Sequence, residues 1–111
     1  MNMAVHTLNP QSLDDTIQKH EIIFIDFWAQ WCAPCKHFAE VYERVSESFP
    51  EIAFLKVNVE EEPEFAESFQ IRSIPHLLVI KQGVVIYSDS GSMPESTLVE
   101  LIEQAKTVSV E

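Results

Sequence analysis

A mixed α/β fold is predicted for this 111-residue chain. Short apolar runs bounded by turn residues alternate with stretches of helical periodicity, as in a sheet built from crossover units. The last two apolar runs, residues 76–80 and 84–87, are separated only by Lys81-Gln82-Gly83, a hairpin signal. Crossovers make parallel neighbours and a tight hairpin makes antiparallel ones. The central β-sheet must therefore be mixed, with helices on both faces.

Each element has its own signal. Val5 suits a short edge strand. Asn9-Pro10-Gln11-Ser12 is a helix start, a polar cap followed by Pro at the first helical position. Leu13 and Ile17, four apart, give that helix one apolar face. Residues 22–28 form a strand, because Ile22-Ile23-Phe24-Ile25 is apolar without alternation, as in a strand covered on both faces. Residues 32–49 are a long helix that Pro50 stops. Its Phe38, Val41, Tyr42, Val45 and Phe49 keep an i, i+3, i+4, i+7 spacing, while His37, Glu40, Glu43, Arg44 and Glu47 cover the wet face. Residues 52–59 are the next strand, apolar apart from Lys56 and Asn58. Glu60-Glu61-Glu62-Pro63-Glu64 opens a helix with its acids at the positive end of the dipole and Phe65, Ala66 and Phe69 facing inward. After the hairpin, where Gly83 supplies a positive φ, Ser92-Met93-Pro94-Glu95 reads as a capping box. Leu98, Leu101, Ile102 and Ala105 are the buried stripe of the last helix. With no repeat, linker or low-complexity segment, residues 1–111 read as one domain, long enough to bury roughly two thirds of its unfolded surface.

Eighteen acids against seven bases leave a formal charge of −11, which argues against nucleic acid and anionic membranes as partners. No apolar run approaches the roughly 18 residues of a membrane span. The first six residues lack the basic flank and apolar core of a signal peptide. One pair of cysteines without others fits a reducing compartment better than a secreted disulfide scaffold, so a cytoplasmic location is expected.

That pair, Cys32-Ala33-Pro34-Cys35, lies where the buried strand hands over to the long helix, at the carboxyl end where open α/β sheets keep their chemistry. Residues three apart on a regular helix have Cβ atoms about 5–6 Å apart. A disulfide needs about 3.5–4.5 Å. A cap residue, with non-helical dihedrals, can close that gap. Cys32 is placed as the cap and Pro34 falls in the first turn. Orphan N–H groups and the helix dipole then favour thiolate at Cys32, the expected nucleophile, and Cys35 is the resolving thiol. A closed zinc site wants four ligands, and no second pair completes one. Haem attachment wants His after the second Cys, where Lys36 stands. No metal or other cofactor is expected, and no nucleotide-binding glycine motif is present.

The segment Asp26-Phe27-Trp28-Ala29-Gln30-Trp31-Cys32-Ala33-Pro34-Cys35-Lys36 resembles the thioredoxin active site, which usually reads W-C-G-P-C-K after a D-F-W strand end. The element order matches the thioredoxin fold from roughly residue 5 to 106. The resemblance implies a monomeric protein dithiol–disulfide oxidoreductase that acts on disulfide-containing proteins and is recharged by a flavin-dependent thioredoxin reductase. Asp26 interrupts an otherwise apolar strand, so burial should raise its pKa. The resemblance gives it the Cys35 proton during resolution and sets Lys56 beside it as counter-charge. It also implies that Arg72-Ser73-Ile74-Pro75-His76 is the loop whose proline is cis, packed on the dithiol, with the preceding residue offering backbone groups to a substrate strand. Trp31, Ala33, Pro34, Ile74, Pro75 and Gly91 form the expected apolar collar for a peptide, and Trp28 is a packing residue.

Ala33 replaces the usual glycine, Glu40 the usual helix-kinking proline, and His76 the usual threonine. A straighter helix is expected without the proline. His76 is read as a solvated strand start, with titration near neutrality as its functional alternative. Ser90 and Ser92 make the rim near Gly91 more polar. Rival functions on the same fold are a binding or co-chaperone module that ignores the thiols, a disulfide oxidase or isomerase, and a dimer bridging an iron–sulfur cluster.

Overall fold

The computed structural model describes residues 4–110. Among them run, in order, β1 (Val5–Thr7), a 3-10 turn (Pro10–Ser12), α1 (Leu13–Lys19), β2 (Ile22–Trp28), α2 (Ala33–Ser46), β3 (Ala53–Asn58), α3 (Pro63–Ser68), β4 (His76–Lys81), β5 (Val84–Ser90) and α4 (Glu95–Thr107). The five strands form one sheet in the order β1-β3-β2-β4-β5. β1 and β2 both pair with β3 in parallel, while β4 pairs antiparallel with β2 and β5. The predicted mixed sheet is the observed one.

β2 is central and buried along nearly its whole length, which explains its unalternating sequence. Its odd residues Ile23, Ile25 and Phe27 join Leu55, Val57, Leu78 and Ile80 under α1 and α3. Ile22 and Phe24 join Phe38, Tyr42, Val45, Leu98 and Ile102 under α2 and α4. Asp26 shares the parity of this second face. The α2 side of the core is stitched by the Tyr42 ring, edge-on to Phe54 at 5.5 Å. Its hydroxyl donates to the Leu55 carbonyl at 2.9 Å.

Element ends depart from expectation where tertiary contacts decide them. α2 closes at Ser46 rather than Phe49; Ser48 and Phe49 donate back to Val45 and Ser46 in tighter turns, and the Phe49 ring lies under Lys106. The capping box at Ser92 does not form. α4 starts at Glu95 with Pro94 as cap and no side-chain cap bond. Glu95 instead takes Arg44 of α2 at 2.8 Å, tying the two helices together. The Asn9 cap forms on the 3-10 turn, its Oδ1 accepting from the Gln11 N–H at 3.0 Å, while α1 starts only at Leu13, without a side-chain cap bond from Ser12. In the hairpin Gln82 and Gly83 have φ of 51° and 81°, the two positive values that a type I′ turn requires.

Lys81 is not part of that turn. It ends β4, buried, and its Nζ donates to the carbonyls of Ala105 (2.8 Å), Lys106 (3.1 Å) and Val108 (2.6 Å). A cation thus caps the negative end of α4. Lys81→Met leaves those carbonyls without their charged donor and should cost about 2–3 kcal/mol. Equilibrium urea unfolding checks this; a loss below about 0.5 kcal/mol, the level of an ordinary surface substitution, would show that the cap is dispensable.

Candidate active site

The dithiol occupies the place the sequence assigns it. β2 ends at Trp28, and Cys32 is the N-cap of α2 with extended dihedrals, φ −89° and ψ 106°. Cys32 and Cys35 are joined by a disulfide with Cα atoms 5.2 Å apart. The Cys35 N–H donates to the Cys32 sulfur at 3.2 Å. That donor belongs to the first turn of the helix, where N–H groups have no intrahelical partner, so it remains available to a thiolate at Cys32. Both cysteines are buried, packed against Ala29, Trp28, Val59 and Ile74. Trp28 is the packing residue expected.

Asp26 is 2% exposed, and its Oδ1 has no hydrogen-bond partner. Burial lifts its pKa from 3.8 to about 7, while the positive charge of Lys56 pulls the other way. Lys56 stands directly across from Asp26 in the parallel β2–β3 register. Its Nζ lies 5.7 Å from the centre of the Trp28 ring. Asp26, Lys56 and Trp28 line a cavity of about 280 Å³ that Cys35, Lys36, Gln30 and Ala39 complete. Asp26 and Cys35 thus open onto one space.

Of the expected collar, Ile74 lies against Cys32. The Ile74–Pro75 bond is cis, and the Ile74 carbonyl oxygen is 3.8 Å from the Cys32 sulfur. Gly91 donates its N–H to the Pro75 carbonyl at 2.7 Å, which fixes it beside this loop. Its φ of 114° calls for glycine, while a Cβ there would meet nothing within 4 Å. Conformation, not crowding, selects the residue. Ala33, Pro34 and Trp31 are exposed, Trp31 by 67%. The Trp31 indole N–H donates to Glu60 at 2.9 Å.

The thioredoxin family model matches residues 4–104. The chain belongs to the thioredoxin family. A putative thioredoxin 2 of Streptomyces coelicolor is 39% identical over 104 residues, spanning 94% of this chain and 78% of the relative. A thioredoxin of Staphylococcus saprophyticus is 38% identical over 103 residues, 92% of this chain and 98% of its own length. A single-residue mutant of the thioredoxin of Halobacterium salinarum superposes with a TM-score of 0.85 at 25% identity, covering 99% of both chains. The sheet is thus a thioredoxin fold, and the chain is a thioredoxin-type protein dithiol–disulfide oxidoreductase whose reversible disulfide joins Cys32 and Cys35.

Two features of this thioredoxin site escape sequence reasoning. Glu60 reads as one acid among several, yet it holds the exposed Trp31. The signal lies in the register: β2 and β3 run parallel and end together, with Val59 donating to the Trp28 carbonyl at 2.9 Å, so the residues just beyond them meet. His76 is not a solvated strand start. It is 9% exposed, edge-on to Phe27, with Nε2 2.8 Å from the Ser88 hydroxyl.

Proposed function

We propose that this domain reduces disulfides in partner proteins with Cys32 as nucleophile, Cys35 as resolving thiol and Asp26 as proton acceptor. The observation that carries the assignment is the N-cap: of the two sulfurs, only Cys32 receives a helix N–H. Reduced Cys32 attacks a substrate disulfide and one substrate sulfur leaves as thiolate. Cys35 then attacks the Cys32 sulfur, releasing the second substrate thiolate and closing the Cys32–Cys35 disulfide. Two electrons pass to the substrate.

Cys35 must lose its proton for the second step. Asp26, held near neutrality by burial, can take it across their common cavity through a water molecule. Lys56 keeps the acid from rising further. Trp31, Ala33, Pro34, Ile74, Pro75 and Gly91 receive the substrate segment, with the Ile74 carbonyl as backbone acceptor for an extended strand.

Electrons reach the oxidised form from a flavin-dependent thioredoxin reductase, and the protein works as a monomer in the cytoplasm. No helix among the described residues is long and apolar enough to cross a membrane, and the charge of −11 disfavours nucleic acid as a partner. Reduction of a disulfide protein by NADPH, a thioredoxin reductase and this chain tests the reading. Turnover should require all three, and dithiothreitol should replace the reductase. Activity with dithiothreitol but with no thioredoxin reductase would point to another electron donor; inactivity with both would remove the reductase function.

A further inference from the structure

His76 begins β4 immediately after Pro75, with Phe27 of β2 as its register partner on one side and Ser90 of β5 on the other. Its ring is buried edge-on against Phe27, at 6.4 Å and 79°. Nε2 sits 2.8 Å from Ser88 Oγ, while Nδ1 is buried with no partner. Two residues back along the chain, the Ile74 carbonyl lies 3.8 Å from the Cys32 sulfur. The Pro75 carbonyl between them is held by the Gly91 N–H at 2.7 Å. One side-chain bond and one backbone bond therefore anchor the substrate-facing loop to β5 and the residue that follows it.

We propose that His76 is a positioning residue: its ring, held by Ser88, fixes the Ile74–Pro75 segment against Cys32 and so sets how tightly a substrate strand docks. The inference rests on the assignment of Ile74 and Pro75 to substrate binding.

The chemistry of the ring makes this anchor proton-sensitive. With hydrogen on Nε2, the ring donates to Ser88 and Nδ1 keeps only a bare lone pair in the interior. A second proton would put an N–H and a charge on Nδ1 with no acceptor, a costly arrangement in a buried site. Burial accordingly pulls His76 below its ordinary pKa, and Asp89 of β5 pulls weakly the other way. Among the described residues, Asp89 is the charged group that acts on the ring; Phe27 of β2 is apolar, and Glu67 of α3 pairs with Arg72 of the following loop on the surface at 3.5 Å. As the pH falls below 6.5, a ring released to solvent takes up a proton that the buried ring resists, so acid favours release of the anchor and no new ion pair offsets it.

Single-turnover oxidation of the pre-reduced protein by insulin, over a range of insulin concentrations, separates half-saturation from the limiting rate. At pH 7.5, Ser88→Ala should raise the half-saturating concentration about three- to tenfold, the worth of one hydrogen bond, and change the limiting rate less. For the wild type that concentration should rise several-fold between pH 7.5 and 5.5. His76→Gln keeps a donor near the Nε2 position and takes up no proton, so its half-saturation should stay level. Wild-type half-saturation in Ser88→Ala, with or without a loss of stability, would overturn the proposal. So would a His76→Gln protein that follows the wild-type pH dependence; should that variant not fold, the Ser88→Ala comparison decides. A wild type that insulin does not oxidise removes the reductase function itself, and this inference with it.

Discussion

Cys35→Ser should convert the protein from a catalyst into a trap. Cys32 would still attack a substrate disulfide, because the helix N–H that favours its thiolate is a backbone group and survives the substitution. The mixed disulfide would then have no intramolecular partner to displace it. Cys32→Ser should give the opposite result, no adduct at all and reduction no faster than buffer. The asymmetry follows from the N-cap. Cys32 has extended dihedrals outside the first turn and its sulfur accepts the Cys35 N–H, whereas Cys35 lies inside the turn; burial does not distinguish them. Non-reducing electrophoresis after mixing with a disulfide protein, with mass spectrometry of the adduct, reads both outcomes. Adducts through Cys35 in the Cys32→Ser protein, as abundant as those through Cys32, would reverse the assigned roles. Full activity in both variants would remove the thiols from the reaction.

Sequence reasoning reached the sheet and the dithiol because both rest on short-range chemistry. The unbroken apolar run 22–25 had to be a two-sided strand, and two apolar runs separated only by Lys81-Gln82-Gly83 had to be a hairpin whatever packed around them. The cap at Cys32 was legible for the same reason: Pro34 just ahead of a helical stripe that starts at Phe38 marks a first turn. What escaped depends on groups distant in sequence. Lys81 reads as a turn residue because its acceptors lie 24 to 27 residues away at the end of α4. Ser92 reads as a cap, yet Glu95 is claimed by Arg44, 51 residues earlier. His76 reads as exposed because nothing local announces that Phe27 and Ser88 will close over it. Asp26 lies between these cases. Its burial was legible from its apolar flanks, but the cavity that joins it to Cys35 exists only once α2 has docked on β2.

Asp26→Asn should make the protein both more stable and slower. The acid is retained in a place that opposes its ionisation, so the folded chain holds a proton that the unfolded chain has already lost between pH 3.8 and about 7. Where the native state binds more protons, stability falls as pH rises. The wild type should therefore lose stability from pH 4 to 7 and stay level above. A pKa difference of about 3 corresponds to about 4 kcal/mol. An amide resembles the protonated acid in shape and neutrality, so Asn should escape that penalty. The variant should gain up to about 4 kcal/mol above pH 8 and nearly nothing at pH 4. Urea unfolding at the two pH values measures the difference, and parallel stability curves for the two proteins would show that Asp26 is not a strained acid. The same substitution removes the proton acceptor. Resolution of the mixed disulfide in a single turnover at pH 7 should slow tenfold or more, in the range of a lost general base, and the wild-type inflection near pH 7 should vanish. A gain in stability without a loss of rate would leave Asp26 a buried acid with no part in the reaction. Both effects together would mean that the fold tolerates a destabilising carboxylate because the second thiol needs it.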